Sequence, residues 1–154
     1  MSYLGIASRP SLIAGLGLFA TRAFAAQESI APYTGRMVTQ PPDEPSAAAK
    51  IFTLEISPGI WLDGSAEDNP ARHANHACHP NAELVWDEVS STAWLTAMKP
   101  IVTDEEITFD YGFSLADSLF HPCACGAPDC VRRIIATPLR PALRRHLRFS
   151  RPRD

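Results

Sequence analysis

Apolar and polar positions alternate at short range through most of this chain, and helical periodicity is scarce. Residues 51–56 set Ile51, Thr53 and Glu55 against Phe52, Leu54 and Ile56, the period-two pattern of a half-buried strand. Residues 29–33 form another extended candidate, and 60–62 a short strand after the turn at Pro58-Gly59. Residues 83–86 and 92–98 read as a hairpin around the polar segment 87–91, and 107–111 as a strand stopped by Gly112. Five of the seven residues 40–46 are proline or acidic, so that stretch is a loop; residues 46–50 have room for one helical turn. The pattern changes at the C-terminus. Leu139, Leu143 and Leu147 recur every four residues among Arg140, Arg144, Arg145 and Arg148. This predicts a short basic amphipathic helix starting near Leu139 or Arg140, with Pro141 tolerated in its first turn. Fourteen prolines in 154 residues, against a usual share of about 5%, favour many turns. The expected class is mostly β, with short helices and a basic C-terminal helix.

Charge divides the chain in two. Residues 1–130 carry six Lys and Arg against 16 Asp and Glu, a net of −10, whereas residues 131–154 carry eight Arg against Asp154, a net of +7. The body therefore suits a basic partner. The tail has two readings: its leucines pack on the body while its arginines are solvated, or the arginines meet nucleic acid or an acidic partner. No run approaches the roughly 18 apolar residues of a membrane span, so no membrane partner is expected. Arg9, the apolar run 12–20 and Ala23-Phe24-Ala25 mimic a secretory signal, but Arg22 interrupts that pattern.

Cysteines sharpen the picture. Cys123, Cys125 and Cys130 form CxCx4C, and Cys78 stands far upstream. Next-but-one cysteines are poorly placed to bridge each other but well placed to wrap one ion, and Gly126 and Pro128 supply the turn. Zinc prefers four ligands in a tetrahedron, with thiolates favoured at structural sites. Three ligands are local, so Cys78 is the expected fourth; His121, His76 or His79 are alternatives for one position. A secreted chain would instead make these cysteines candidate disulfides with three pairings.

Three strings then occur in order before the cysteines: Gly15-Leu16-Gly17-Leu18-Phe19-Ala20, the segment from Asn69 to Asn81 containing Asn75-His76-Ala77-Cys78-His79-Pro80-Asn81, and Glu105-Glu106-Ile107-Thr108-Phe109-Asp110-Tyr111-Gly112. Over about residues 5–132 the chain resembles SET-domain protein lysine methyltransferases with a post-SET zinc segment. Tyr33-Thr34-Gly35 and Trp61-Leu62-Asp63-Gly64 also stand where that family has related segments. The resemblance implies a SET domain at 1–118, a post-SET zinc segment at 119–133 and a basic tail at 134–154. It implies several small curled β-sheets and a C-terminal pseudoknot that brings NHxC beside DYG. It further implies S-adenosylmethionine as cofactor, Zn2+ on Cys78, Cys123, Cys125 and Cys130, and a substrate lysine entering by a channel on the opposite face. The rival dinucleotide fingerprint fails, because Ala20 replaces the third glycine and no βαβ unit follows.

By the same resemblance, Gly15, Leu16, Gly17, Leu18, Arg72, Asn75 and His76 are cofactor-binding. Glycine at 15 and 17 lets the backbone approach a ligand as only a residue without Cβ permits. Tyr111 matches the catalytic tyrosine that orients the amine, and Tyr33 the channel tyrosine near the substrate ammonium. Phe109 stands where Phe or Tyr sets how many methyls fit; Phe leaves room for di- or trimethyl-lysine. A lysine of pKa ~10.4 is almost wholly protonated at neutral pH, but a desolvating channel and a neighbouring sulfonium lower that pKa, so no strong protein base is required. The expected substrate is a lysine in a basic protein such as a histone tail or histone-like protein. Arg36, His73, Ala74 and Ala77 depart from the family pattern, and Arg36 and Ala77 keep a catalytically silent, peptide-binding SET-like module as the alternative. No pre-SET cysteine cluster precedes the domain, so a minimal version is expected. Twelve Arg against two Lys suggest a GC-rich, bacterial genome and a cytoplasmic protein, or a nuclear one if eukaryotic. Oligomeric state is not indicated.

Overall fold

Short strands dominate the computed structural model, which describes residues 4–41, 43 and 51–149. Among these residues ten strands form three sheets. In the first, β1 (Ile6–Pro10) and β2 (Leu16–Ala20) make an antiparallel hairpin with Ile6 opposite Ala20. The late strand β10 (Glu106–Phe109) adds antiparallel to β2, and the two-residue β7 (Asn75–His76) adds parallel to β10. The second sheet runs β3 (Ser29–Tyr33), β9 (Thr92–Ala97), β8 (Ala82–Asp87), with β9 at its centre. The third runs β4 (Arg36–Val38), β6 (Ile60–Asp63), β5 (Thr53–Ser57).

The core lies where these sheets face one another. Leu18 of β2, Ile30 of β3, Leu54 of β5, Leu62 of β6, Leu95 of β9 and Ile107 of β10 belong to one buried cluster. Ala20, Ala31, Ala82, Ala93 and Ala97 are also fully or almost fully buried. Small side chains at these positions let the sheets approach closely, and the larger neighbours supply most of the apolar burial that drives folding.

The mostly-β expectation and the basic terminal helix match what is seen, but the expectation of curled sheets closed by a pseudoknot is corrected. Among the described residues the strands lie in three separate sheets, each strand six residues or shorter. Among those residues no curled sheet and no knotted crossing is seen. Asn75–His76 reaches the segment before Tyr111 by an ordinary parallel ladder, Thr108 opposite Asn75 and Phe109 opposite His76. β10 ends at Phe109, so Asp110 and Tyr111 leave the strand rather than extend it. The turn expected at 46–50 lies outside the described residues.

Two helices and a turn follow. α1 (Leu115–Ser118) is capped by Ser114, whose hydroxyl accepts the Asp117 N–H. A 3-10 turn, Thr137–Leu139, leads into α2 (Arg140–Phe149). Only Leu143 of the leucine stripe is fully buried; Leu139 and Leu147 are more than a third exposed. The tail is nevertheless fastened to the body. Ala136 N–H donates to the Phe113 carbonyl, Thr137 donates from N and Oγ1 to Asp110 Oδ2, and Arg140 Nη2 donates to the Cys78 carbonyl at 2.7 Å. No helix of the described residues is long and apolar enough to cross a membrane.

Candidate active site and metal centre

The β7–β10 ladder determines what meets what. It leaves Tyr111 beside His76: the Tyr111 backbone N–H donates to His76 Nδ1 at 3.3 Å, and the rings meet edge to face at 5.5 Å. The Tyr111 hydroxyl donates to the Ala74 carbonyl at 3.0 Å. Phe109 lies 4.9 Å and Phe113 5.7 Å from the Tyr111 ring, and Tyr33 meets Phe109 edge-on at 6.3 Å. Tyr33 donates its hydroxyl to the Phe52 carbonyl and lies over Gly64, where a Cβ would collide with the ring. Burial pushes the Tyr111 phenol well above its ordinary range; burial, and then the neighbouring Tyr111, do the same for Tyr33. Both are neutral hydroxyls at physiological pH, suited to hydrogen bonding rather than to acting as bases.

On the other side of β7 the side chain of Asn75 holds the glycine loop. Its Nδ2 lies within hydrogen-bonding distance of the Ala14 and Leu16 carbonyls and of Ser11 Oγ, with Glu106 Oε1 nearest at 2.8 Å. Glu106 in turn accepts from the Ser11 hydroxyl at 2.8 Å. The two glycines of the loop serve different ends. Gly15 has φ +43° and open space where a Cβ would stand, whereas a Cβ on Gly17 would run into the Glu106 carboxylate and Ser11. The first leaves room for a ligand and the second lets the loop close on its anchor. Leu16 is half exposed, but the Leu18 side chain is in the core. Arg72 is not among the residues lining the cavity beside this loop; its guanidinium lies 5.2 Å over the Phe52 ring.

A cavity of about 220 Å³ opens between the loop and Tyr111, lined among others by Ala14, Asn75, His76, His121 and Ala124. Burial lowers the His76 pKa to about 4, opposed by Asp110 at 3.7 Å. The ring is therefore neutral, and since Nδ1 accepts the Tyr111 N–H, its proton lies on Nε2. That Nε2 is buried and has no partner among the described residues. A buried orphan donor beside an open glycine loop is a place where a polar ligand fits. Two further cavities reach Tyr111. One of about 630 Å³ is bordered by Glu55, Glu83 and Asp110 and also by His79 and Arg140; one of about 270 Å³ is bordered by Glu55, Trp61, Ser114 and Asp117. Nothing in the hydropathy pattern marks Ser11 or assigns Glu106 its anchoring part.

The four cysteines converge as expected. Their sulfurs all lie within 4.8 Å of one another. Cys78 Sγ is 4.0 Å from Cys123 Sγ and 3.7 Å from Cys130 Sγ. A tetrahedron with Zn–S bonds of 2.3 Å has S···S edges of about 3.8 Å, whereas a disulfide needs about 2.05 Å. The set thus fits one ion, and all four cysteines are free. The Cys78 and Arg132 backbone N–H groups point to Cys125 Sγ and Cys130 Sγ, as donors to thiolates would. The histidine alternatives have other surroundings: His79 Nε2 pairs with Asp129 at 2.6 Å, His121 packs edge-on against Phe113, and His76 faces the cavity.

Comparison with known proteins places this arrangement. A family model described as "SET domain" matches residues 15–112. The chain is 33% identical over 129 residues to the histone-lysine N-methyltransferase SETD1 of Drosophila melanogaster, covering 78% of this chain and 8% of that protein. It is 31% identical over 123 residues to SETD1A of Homo sapiens, 74% of this chain and 7% of that one. To the H3 lysine-4 specific histone-lysine N-methyltransferase of Saccharomyces cerevisiae it is 30% identical over 131 residues, 78% and 12%. It therefore spans only a small part of these relatives. Among solved structures, the crystal structure of KRYPTONITE in complex with mCHG DNA and SAH shares the fold, with TM-score 0.67, 24% identity, and 84% of this chain against 28% of that one covered.

Proposed function

This chain belongs to the SET-domain family, and from that premise we propose that it is an S-adenosylmethionine-dependent protein lysine N-methyltransferase acting on a basic, histone-like protein. The observation that carries the reading is the β7–β10 ladder, which gathers Tyr111, His76, Asn75 and the Gly15 loop around one cavity. The orphan His76 Nε2 and the open space over Gly15 fit the polar cofactor. When bound, S-adenosylmethionine supplies a methyl group on a sulfonium, an electrophile an amine attacks directly.

The chain's own residues have the remaining tasks. Asn75 and His76 hold the cofactor side, with His76 Nε2 as donor, and the Gly15–Leu18 strand start gives backbone access. Tyr111 and Tyr33 present neutral hydroxyls in an aromatic, water-poor setting, orienting the amine and favouring its uncharged form. The acidic borders at Glu55, Glu83, Asp110 and Asp117 favour approach of a basic peptide. Phe109, without a hydroxyl, leaves room for a second and third methyl. Zn2+ on Cys78, Cys123, Cys125 and Cys130 pins residues 119–133 against the end of β7, so that His121 and Ala124 close the cofactor cavity. The proposed parts are a SET domain at 1–118, this zinc segment, and the tail from 134.

Calorimetric titration with S-adenosylmethionine tests the reading at its first step. Saturable one-to-one binding, weakened by His76→Ala in a chain that keeps its zinc, is expected. Absence of binding by the zinc-loaded chain overturns the enzyme; binding with no transfer to any basic protein leaves the silent module instead.

A further inference from the structure

Helix α2 has an arginine face of which only Arg140 reaches a cavity at Tyr111. Arg140, Arg144 and Arg148 recur every four residues and so form one stripe along the helix, with Arg145 adjoining it. The first anchors the helix, donating to the Cys78 carbonyl. Arg144, Arg145 and Arg148 are exposed, and among the described residues no acidic side chain forms an ion pair with them. Residues 131–149 contain six arginines and no acid. This is not a loosely attached basic tail. Leu143 is fully buried, and Thr137 and Arg140 bond to the segments carrying Asp110 and Cys78, so the face is held beside the site.

We propose that this face binds the phosphate backbone of nucleic acid, so that a basic substrate is met while it is bound to DNA or RNA. Three things favour that occupant. The charge is carried by arginine, whose planar fork matches phosphate. The helix buries Leu143 on the body and leaves Leu147 and Phe149 exposed only in its last turn, a smaller apolar face than a helix lying in a membrane carries. The body, at −10 over residues 1–130, repels a polyanion, so binding must concentrate on this separate surface. The phosphate contact stands by itself; only its consequence for the substrate rests on the methyltransferase reading.

Fluorescence anisotropy of the full, zinc-loaded chain with a labelled mixed-sequence 20-base-pair DNA and a labelled single-stranded RNA tests it. Three phosphate contacts give a salt slope near −2.7 on duplex DNA, so raising salt from 50 to 200 mM weakens binding roughly 40-fold. The variant Arg144→Gln/Arg145→Gln/Arg148→Gln should lose most of that slope, while Arg36→Gln, an exposed arginine elsewhere, keeps it; unchanged circular dichroism and zinc content exclude misfolding. No binding at 50 mM salt, full binding by the triple variant, or equal affinity for anionic vesicles or an acidic protein would overturn the proposal. If nucleic acid binds but no methyl transfer occurs on any substrate, the face survives and the enzymatic reading alone fails. If both hold, transfer to a basic protein should be faster with DNA present, and the triple variant should lose that gain only.

Discussion

Phe109 and Glu106 are three positions apart in one strand and affect different properties. Phe109 is buried with its ring 4.9 Å from Tyr111, so a hydroxyl added there enters the space where the amine is expected. Phe109→Tyr should shift products from di- and trimethyl-lysine toward monomethyl-lysine, read by mass spectrometry; monomethyl product alone from the unaltered chain contradicts the assignment. Glu106 touches no ligand but anchors Ser11 and Asn75. Glu106→Gln removes a charge-assisted bond of roughly 1.5 kcal/mol, so S-adenosylmethionine should bind about tenfold more weakly with far-UV circular dichroism unchanged. The motif residues were legible because each string keeps its chemistry in consecutive positions. The anchor was not, since Ser11 and Glu106 are 95 residues apart and ordinary polar residues carry no periodic signal.

At the scale of elements, the metal loop and α2 form a strap. Three sulfurs come from the segment after α1 and one from Cys78, just past β7, so an ion held by all four would join distant parts of the chain. Chelation with a strong zinc ligand should therefore raise hydrogen exchange across residues 121–149 more than across β3, β8 and β9. Uniform loosening, or none, counts against a local staple. Leu143 is the single fully buried leucine of α2, and Leu143→Ala should cost about 2–5 kcal/mol in chemical denaturation. The hairpin β8–β9, strand β3 and the terminal helix were readable from hydrophobic pattern, because each pairs or packs along a regular face. β1 and β4 were not: β1 mixes Arg9 and Pro10 into its five residues and β4 has only three. β2 hid inside an apolar, glycine-containing run that mimics a secretory signal. β7, at two residues, has no pattern at all; only tertiary pairing with β10 makes it a strand.

The whole molecule separates its charges by task. An acidic body carries the cavities around Tyr111, and a basic helix stands fastened beside them. Composition displayed the division, but not that the basic part is docked rather than trailing, since Leu143, Thr137 and Arg140 find their partners only in the fold. Attraction between an acidic site and a basic peptide is screened by salt, so the KM for a lysine- and arginine-rich peptide should rise several-fold between 50 and 300 mM salt while kcat changes little. A salt-independent KM would contradict the acidic borders as the peptide's route.

The most direct measurement is transfer of a radiolabelled methyl group from S-adenosylmethionine to fractionated basic proteins, by the zinc-loaded chain and by Tyr111→Phe. Tyr111 holds a half-buried hydroxyl, kept neutral by its surroundings, beside the cavity proposed for the cofactor, so the unaltered chain should label lysine in at least one basic protein. The variant should retain cofactor binding and lose about 10²-fold or more in transfer, the cost of misplacing a reacting group. No labelling by a chain that binds the cofactor, or full activity in the variant, would contradict methyl transfer at Tyr111.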